Sequence, residues 1–321
     1  MIFSKKNFKI IRSGKSINNY LVTIATGKKY FDNWKKNFLD DWLSYCNYHN
    51  LGLIVFDKDL IEKSSVIWKH PTWQRLIVPK ILSIYAKQVK NICLLDADII
   101  INPLSPNIFR NFNPKNISVV SLYENLPYNE TYKELRKKIV FYRKNFMKKN
   151  YPLRSSILGG PEEIYKNYKF SKSFNNYFCA GVILLNINKN SDFFLKTYFK
   201  YYNDRRFIGV EVPLNFEIYN KKKVTYLDYK FQAIWLYELA NKYSFLYRIR
   251  SYKKIKDYCI QQSMLDNYFI HFAGSWPDTK SSKYFKNSIN NISFKKLNKN
   301  FYNFKKLNLK PLFNSKKINF N

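Results

Sequence analysis

The chain of 321 residues carries 56 Lys and Arg against 22 Asp and Glu, a net charge of +34, and is 46% hydrophobic with 27 Tyr, 27 Phe and 6 Trp. So much aromatic and aliphatic side chain excludes a disordered polymer, and the length suits one large α/β domain or two smaller ones at roughly 100 to 200 residues each. Four scattered cysteines, Cys46, Cys93, Cys179 and Cys259, lack CxxC spacing and argue against a disulfide framework or a zinc site.

From the N-terminus, residues 1–18 read as an extension without an apolar stretch of signal-peptide length. NYLVTIATG from Asn19 is a β-branched run closed by Gly27, followed by YFDNWKKNFLDDWLSYCNYH, where apolar residues recur at helical spacing. LGLIVFD is a second strand, HPTWQRLIVPKILSIYAKQ a helix interrupted or begun near Pro79, NICLLDADIII a third strand and NISVVSLYE a fourth. Strands alternating with helices predict a parallel α/β sheet, in which ligands gather at the carboxyl ends of strands. Residues 125–176 turn basic and helical, an excursion expected over the active face. Strand character returns in YFCAGVILLNI, then come the helical DFFLKTYFKYYNDRR, the segment IGVEVPLNFEIYN, the strand-like VTYLDY and YFIHFAGSW. The tail, 281–321, alternates Lys and Asn with Phe, Tyr and Leu and reads either as a docked helix pair or as a peripheral attachment to anionic membrane.

Asp96 and Asp98 interrupt the apolar run Ile92 to Ile101. A buried unpaired ion costs about several kcal/mol, so something must compensate them. They are either solvated aspartates where a strand exits, or, being two residues apart and so on one side of a strand, a pair of oxygen donors for one divalent cation. The net charge likewise has two readings: a polyanionic partner, or over-use of Lys, Asn, Ile, Tyr and Phe by an AT-rich coding sequence. No run of 18 or so uncharged apolar residues occurs, and a cytoplasmic protein, with the tail as its membrane contact, is expected.

Taken in order, LVTIATGKKY, TWQRL, LLDADIIINPLS, FCAGVILLNI and HFAGSW resemble a GT-A fold nucleotide-sugar glycosyltransferase, most closely the glycosyltransferase family 8 pattern of glycogenin-like and lipopolysaccharide galactosyl- and glucosyltransferases. The resemblance covers about Asn19 to Lys280. It implies a Rossmann-like single domain over 19–280 with a mixed, mostly parallel central sheet flanked by helices: a nucleotide-binding half (19–124), the excursion (125–176) and an acceptor-side half (177–280). It further implies that Thr23, Ala25, Thr26, Tyr30, Arg75, Ala97, Ala180, Gly181, Gly274 and Lys280 contact the donor, and that Asp96, Asp98 and His271 hold Mn²⁺, with Mg²⁺ as the alternative. A hexose would pass from a nucleotide sugar, UDP-linked, to a hydroxyl of a glycan or lipid-linked acceptor with retained configuration.

Three positions depart from the pattern. Cys179 stands where the family has Asn; VEVPLN puts Glu211 at the family's glutamine and Val212 at its second aspartate; Pro277 replaces a lysine, with Lys280 the nearest substitute. Glu211 is therefore the catalytic candidate, as nucleophile or as stabiliser of an oxocarbenium-like transition state, or else an ordinary helix-start glutamate. His49 and His70 read as structural. The alternatives to a transferase are a weakened relative that binds a sugar nucleotide or glycan without turnover, and a basic nucleic-acid binder stacking bases on aromatics; no nucleic-acid motif is visible, and no nucleic-acid partner is expected.

Overall fold

The computed structural model describes residues 8–13, 17–124, 126–128, 131–147, 160–248, 253–275 and 278. Pro277, Lys280 and the tail 281–321 lie outside the described residues. The strands are β1 (Lys9–Arg12), β2 (Asn19–Ile24), β3 (Gly52–Phe56), β4 (Asn91–Asp96), β5 (Ile99–Ile101), β6 (Ile117–Ser121), β7 (Phe178–Asn186), β8 (Val224–Tyr226), β9 (Ala233–Ile234) and β10 (Phe269–His271). Seven of them form a central sheet in the order β1-β3-β2-β4-β7-β6-β8, and the other three a small sheet in the order β5-β10-β9. The stretch 1–18, expected as an extension, thus contributes an edge strand, β1, antiparallel to β3.

The central sheet is mixed: β3, β2 and β4 run parallel to one another, and β6 runs parallel to β8. β7 runs antiparallel to both β4 and β6. The cause is chain routing: the excursion leaves β6 and re-enters β7 at the same end of the sheet, so β7 must run back. β3, β6 and all but the last residue of β7 are buried, which is why β3 and β7 read as apolar runs and not as alternating ones, while β6 also buries two serines, Ser118 and Ser121.

Helices cover both faces: α1 (Lys28–Asn37), α2 (Leu39–His49), α3 (Pro71–Gln74), α4 (Val78–Tyr85), α5 (Tyr132–Met147), α6 (Pro161–Asn167), α7 (Ile187–Tyr201), α8 (Glu211–Lys221), α9 (Trp235–Asn241) and α10 (Lys253–Asp266). The helix expected from His70 with an interruption or start near Pro79 is two, broken at Arg75 to Ile77 just ahead of Pro79, where the proline ring suits a first turn but not a helix interior. Gln74, fully buried, ties the preceding loop to α3: its oxygen accepts from the Leu60 and Ile61 amides at 2.5 and 3.3 Å, and its nitrogen donates to Asp59 Oδ1 at 2.9 Å and to the Lys69 carbonyl at 2.7 Å. That fixes where Arg75, the next residue, can reach.

All four cysteines are buried free thiols. No helix among the described residues is long and apolar enough to cross a membrane.

Gly52 opens β3 directly beneath the buried ring of Tyr20, and a Cβ there would fall on that ring. Gly52→Ala should therefore cost about 1–3 kcal/mol of stability by overpacking; chemical denaturation measures it, and an unchanged midpoint would mean that the ring moves aside freely.

Candidate active site

The apolar run holding the two aspartates is not one strand. β4 ends at Asp96, Ala97 and Asp98 form a turn, and β5 departs into the second sheet. The carboxylates are brought together by this turn and not by alternation along a strand. Two contacts hold the turn: the Asp98 carbonyl accepts from the Phe272 amide at 3.0 Å, and Trp42 of α2 donates its indole N–H to the Ile99 carbonyl at 2.9 Å. β10 pairs antiparallel with β5 so that His271 faces Ile99, which sets the imidazole over the turn.

The result is a cluster of three donors. The ligand atoms of Asp96, Asp98 and His271 lie within 4.8 Å of one another, with His271 Nε2 3.4 Å from Asp96 Oδ2 and 3.2 Å from Asp98 Oδ1. Arg75 pairs with the other Asp96 oxygen at 2.9 Å while staying 93% buried, and its Nε has no partner. Asp96 keeps 38% of its side chain open. Burial pushes its carboxyl upward, but the Arg75 charge and the imidazole outweigh that and hold it below the usual carboxylate range. For His271, burial pushes the pKa down, yet the Asp98 charge, the Cys179 thiol and the two carboxylate contacts reverse this and leave it well above its ordinary value.

A cleft of about 240 Å³ opens beside the cluster, at the carboxyl ends of the parallel neighbours β2 and β4. Val22, Ile24, Thr26 and Tyr30 line one wall, His70, Pro71, Thr72 and Arg75 another, and the segment from Leu94 to Asp98 the floor. Thr26 Oγ1 is buried and has no hydrogen-bond partner among the described residues. Ala97 of the floor is also among the expected donor contacts. Thr23 and Ala25 are not among the lining residues: side chains alternate along β2, and theirs take the opposite parity to Val22, Ile24 and Thr26.

His70 was read as structural and does cap α3, accepting from the Thr72 amide at 3.4 Å, but it is exposed and lines the cleft as well. His49 stays outside, with Nε2 2.7 Å from the Ser105 carbonyl oxygen and its ring against Tyr45.

Glu211 opens α8. Asn215 anchors that end to β7, accepting from the Phe178 amide at 2.8 Å and donating to the carbonyls of Phe178 and Glu211, both at 2.9 Å. The carboxylate accepts from the Ala180 amide at 3.3 Å. Burial raises the Glu211 pKa, and Asp96 raises it further against the lowering by Ala180, Tyr177 and His271. Gly274 turns the chain after β10 with φ +68 and offers its carbonyl to Arg143 of α5 at 3.0 Å. Cys179 lies behind the imidazole, Sγ 3.7 Å from Nδ1, and so does Gln232, at 3.2 Å, a residue absent from the expected set. No sequence motif marks Gln232; only the pairing of β9 with β10 brings it near.

Two carboxylate oxygens and one imidazole nitrogen at hydrogen-bond spacing are a donor set that fits a divalent cation of the Mn²⁺ or Mg²⁺ type. No family model matches the chain, and no curated protein sequence matches it. Solved structures similar to it include a glycosyltransferase involved in the glycosylation of the major capsid of PBCV-1, at 8% identity over 83% of this chain and 98% of that one, TM-score 0.47. The bifunctional glycosyltransferase WbbM matches at 10% identity over 85% of this chain and 50% of its own, TM-score 0.45. The galactosyltransferase LgtC, in complex with donor and acceptor sugar analogues, matches at 12% identity over 82% of this chain and 95% of its own, TM-score 0.43.

A cation that takes the His271 Nε2 lone pair must displace its proton, and the raised pKa makes that proton a strong competitor. Cation affinity should therefore climb as pH rises through neutrality, with a proton released on binding. Titration calorimetry with Mn²⁺ in buffers of different ionisation enthalpy reads both; affinity that stays flat between about pH 6 and 9 would remove His271 from the ligand set.

Proposed function

We propose that the protein is a metal-dependent glycosyltransferase of the GT-A type that moves a hexose from a nucleotide sugar, UDP-linked, to a hydroxyl of a glycan or lipid-linked acceptor, with retention. The observation that carries the reading is the convergence of Asp96, Asp98 and His271 at the edge of a cleft framed by the ends of two parallel strands. Such a cleft suits a nucleoside, with Thr26 and Tyr30 on one side and His70 and Thr72 on the other. The diphosphate then falls beside the carboxylates, which would repel it unless a cation lay between.

Mn²⁺, with Mg²⁺ as the alternative, would be held by Asp96, Asp98 and His271 and would neutralise the charge that develops on the departing diphosphate. Arg75 holds Asp96 in place through the oxygen that does not face His271. Thr23, Ala25, Ala97, Ala180, Gly181, Gly274 and Lys280 complete the expected donor contacts. Glu211 is the carboxylate free of both Arg75 and His271 ion pairs, and its position on the Ala180 amide suits it to face the sugar, as nucleophile or as stabiliser of positive charge. The protein is expected in the cytoplasm, with its basic segment 281–321 toward anionic membrane when the acceptor is lipid-linked.

Asp96→Ala and Asp98→Ala should each cut Mn²⁺-dependent hydrolysis of the donor by about 10²-fold or more while the fold is retained. In parallel, a UDP-sugar present at a hundred times its dissociation constant should add about 2.7 kcal/mol of stability to the wild type only when Mn²⁺ is present. Unchanged turnover in both variants would refute the metal assignment. Stabilisation without any turnover would instead favour the non-transferring relative, the reading that Cys179, Val212 and Pro277 keep in play.

A further inference from the structure

His271 can grip a cation through Nε2 only if its ring proton sits on Nδ1, and which nitrogen carries it is set by what the other one meets. The cause lies in the central sheet. The β6–β7 register shifts between Val119 and Ser121: Ile183 faces Val119, whereas Phe178 faces Ser121. Five steps along β7 thus oppose two along β6, and the segment from Cys179 to Val182 bulges out of reach of its neighbour.

Gln232, 1% exposed at the end of the helical turn Tyr229–Gln232, fills the gap. Oriented by the groups around it, its amide nitrogen donates to the Cys179 carbonyl at 3.1 Å and its oxygen accepts from the Gly181 and Val182 amides at 3.1 and 3.2 Å. Two backbone N–H groups dictate which end of the side-chain amide points at them, because a donor cannot satisfy a donor. The same oxygen is 3.2 Å from His271 Nδ1, so Nδ1 must carry hydrogen and donate. Gly181 closes the arrangement: a Cβ there would collide with both the Gln232 amide and the imidazole.

We propose that Gln232 is the positioning residue of the cation site: anchored on a bulge of β7, it locks His271 in the Nδ1–H tautomer and turns the Nε2 lone pair onto the space shared with Asp96 and Asp98. The inference rests on the cation site proposed above. Gln232 reaches the cation through His271 and is held in place for that by its bonds to Cys179, Gly181 and Val182.

The test uses the full chain labelled with ¹⁵N-histidine, whose three histidines make the ring spectrum simple to assign. With diamagnetic Cd²⁺ bound, His271 should show a protonated Nδ1 and a perturbed Nε2. Gln232→Leu should weaken Mn²⁺ binding by about 10- to 100-fold, read by calorimetry with circular dichroism as the fold control. Gln232→Glu, buried and so held in its protonated form, can donate its O–H to the Cys179 carbonyl while its other oxygen still accepts from Nδ1, and should restore the affinity. If Gln232→Leu fails to fold, the wild-type ring spectrum and the Glu variant decide the matter. An unprotonated Nδ1 in the wild type, or wild-type Mn²⁺ affinity in a folded Gln232→Leu protein, overturns the proposal while Asp96→Ala still loses the cation. Wild-type affinity in Asp96→Ala would mean that the cation site itself is wrong, and the role of Gln232 falls with it.

Discussion

Two carboxylates and an imidazole held against one another at the seam between two sheets are the constraint around which this molecule is built. Asp96 closes a strand of the central sheet, His271 closes a strand of the small one, and Asp98 sits in the turn that joins them. Each group alone would be poorly placed: burial disfavours the charged form of both acid and base. Together, and with Arg75 on the outer oxygen of Asp96, they balance one another, and the same geometry suits them to share a cation.

The surroundings make sense as means to that end. The indole of Trp42 and the Phe272 amide hold the Asp98 turn, Gln74 fixes the loop that delivers Arg75, and Asn215 pins the start of α8 so that Glu211 meets the first residues of β7. Gly181 is small because the imidazole and the Gln232 amide pack where its side chain would be. These supports are apolar or uncharged, so the ionisable groups of the site interact with one another across a poorly screened space. A chain with 56 basic residues needs that isolation if a few acidic groups are to govern local electrostatics.

Much of the architecture was legible because fully buried strands leave apolar runs and amphipathic helices leave a period. The run from Ile92 to Ile101 also announced its own anomaly, since aspartates do not sit in such a run without compensation. Its division between two sheets was not legible: a turn of two residues inside an apolar run looks like continuation. β7 was readable as a strand but not as an antiparallel one, since direction depends on where the preceding excursion returns. His70 hid behind a capping role that it also performs, and Gln232 carries no local signature at all. Its importance comes from a bulge in one strand and the register of another, both properties of pairing and not of sequence order.

The most direct test of the account is a crystal of the protein grown with Mn²⁺ and UDP and measured at the manganese absorption edge. It should show one anomalous peak within about 2.0–2.3 Å of Asp96, Asp98 and His271 Nε2, with diphosphate oxygens completing the shell and the nucleoside in the cleft lined by Thr26 and His70. Nucleotide bound elsewhere, or a peak that engages neither carboxylate, would contradict it.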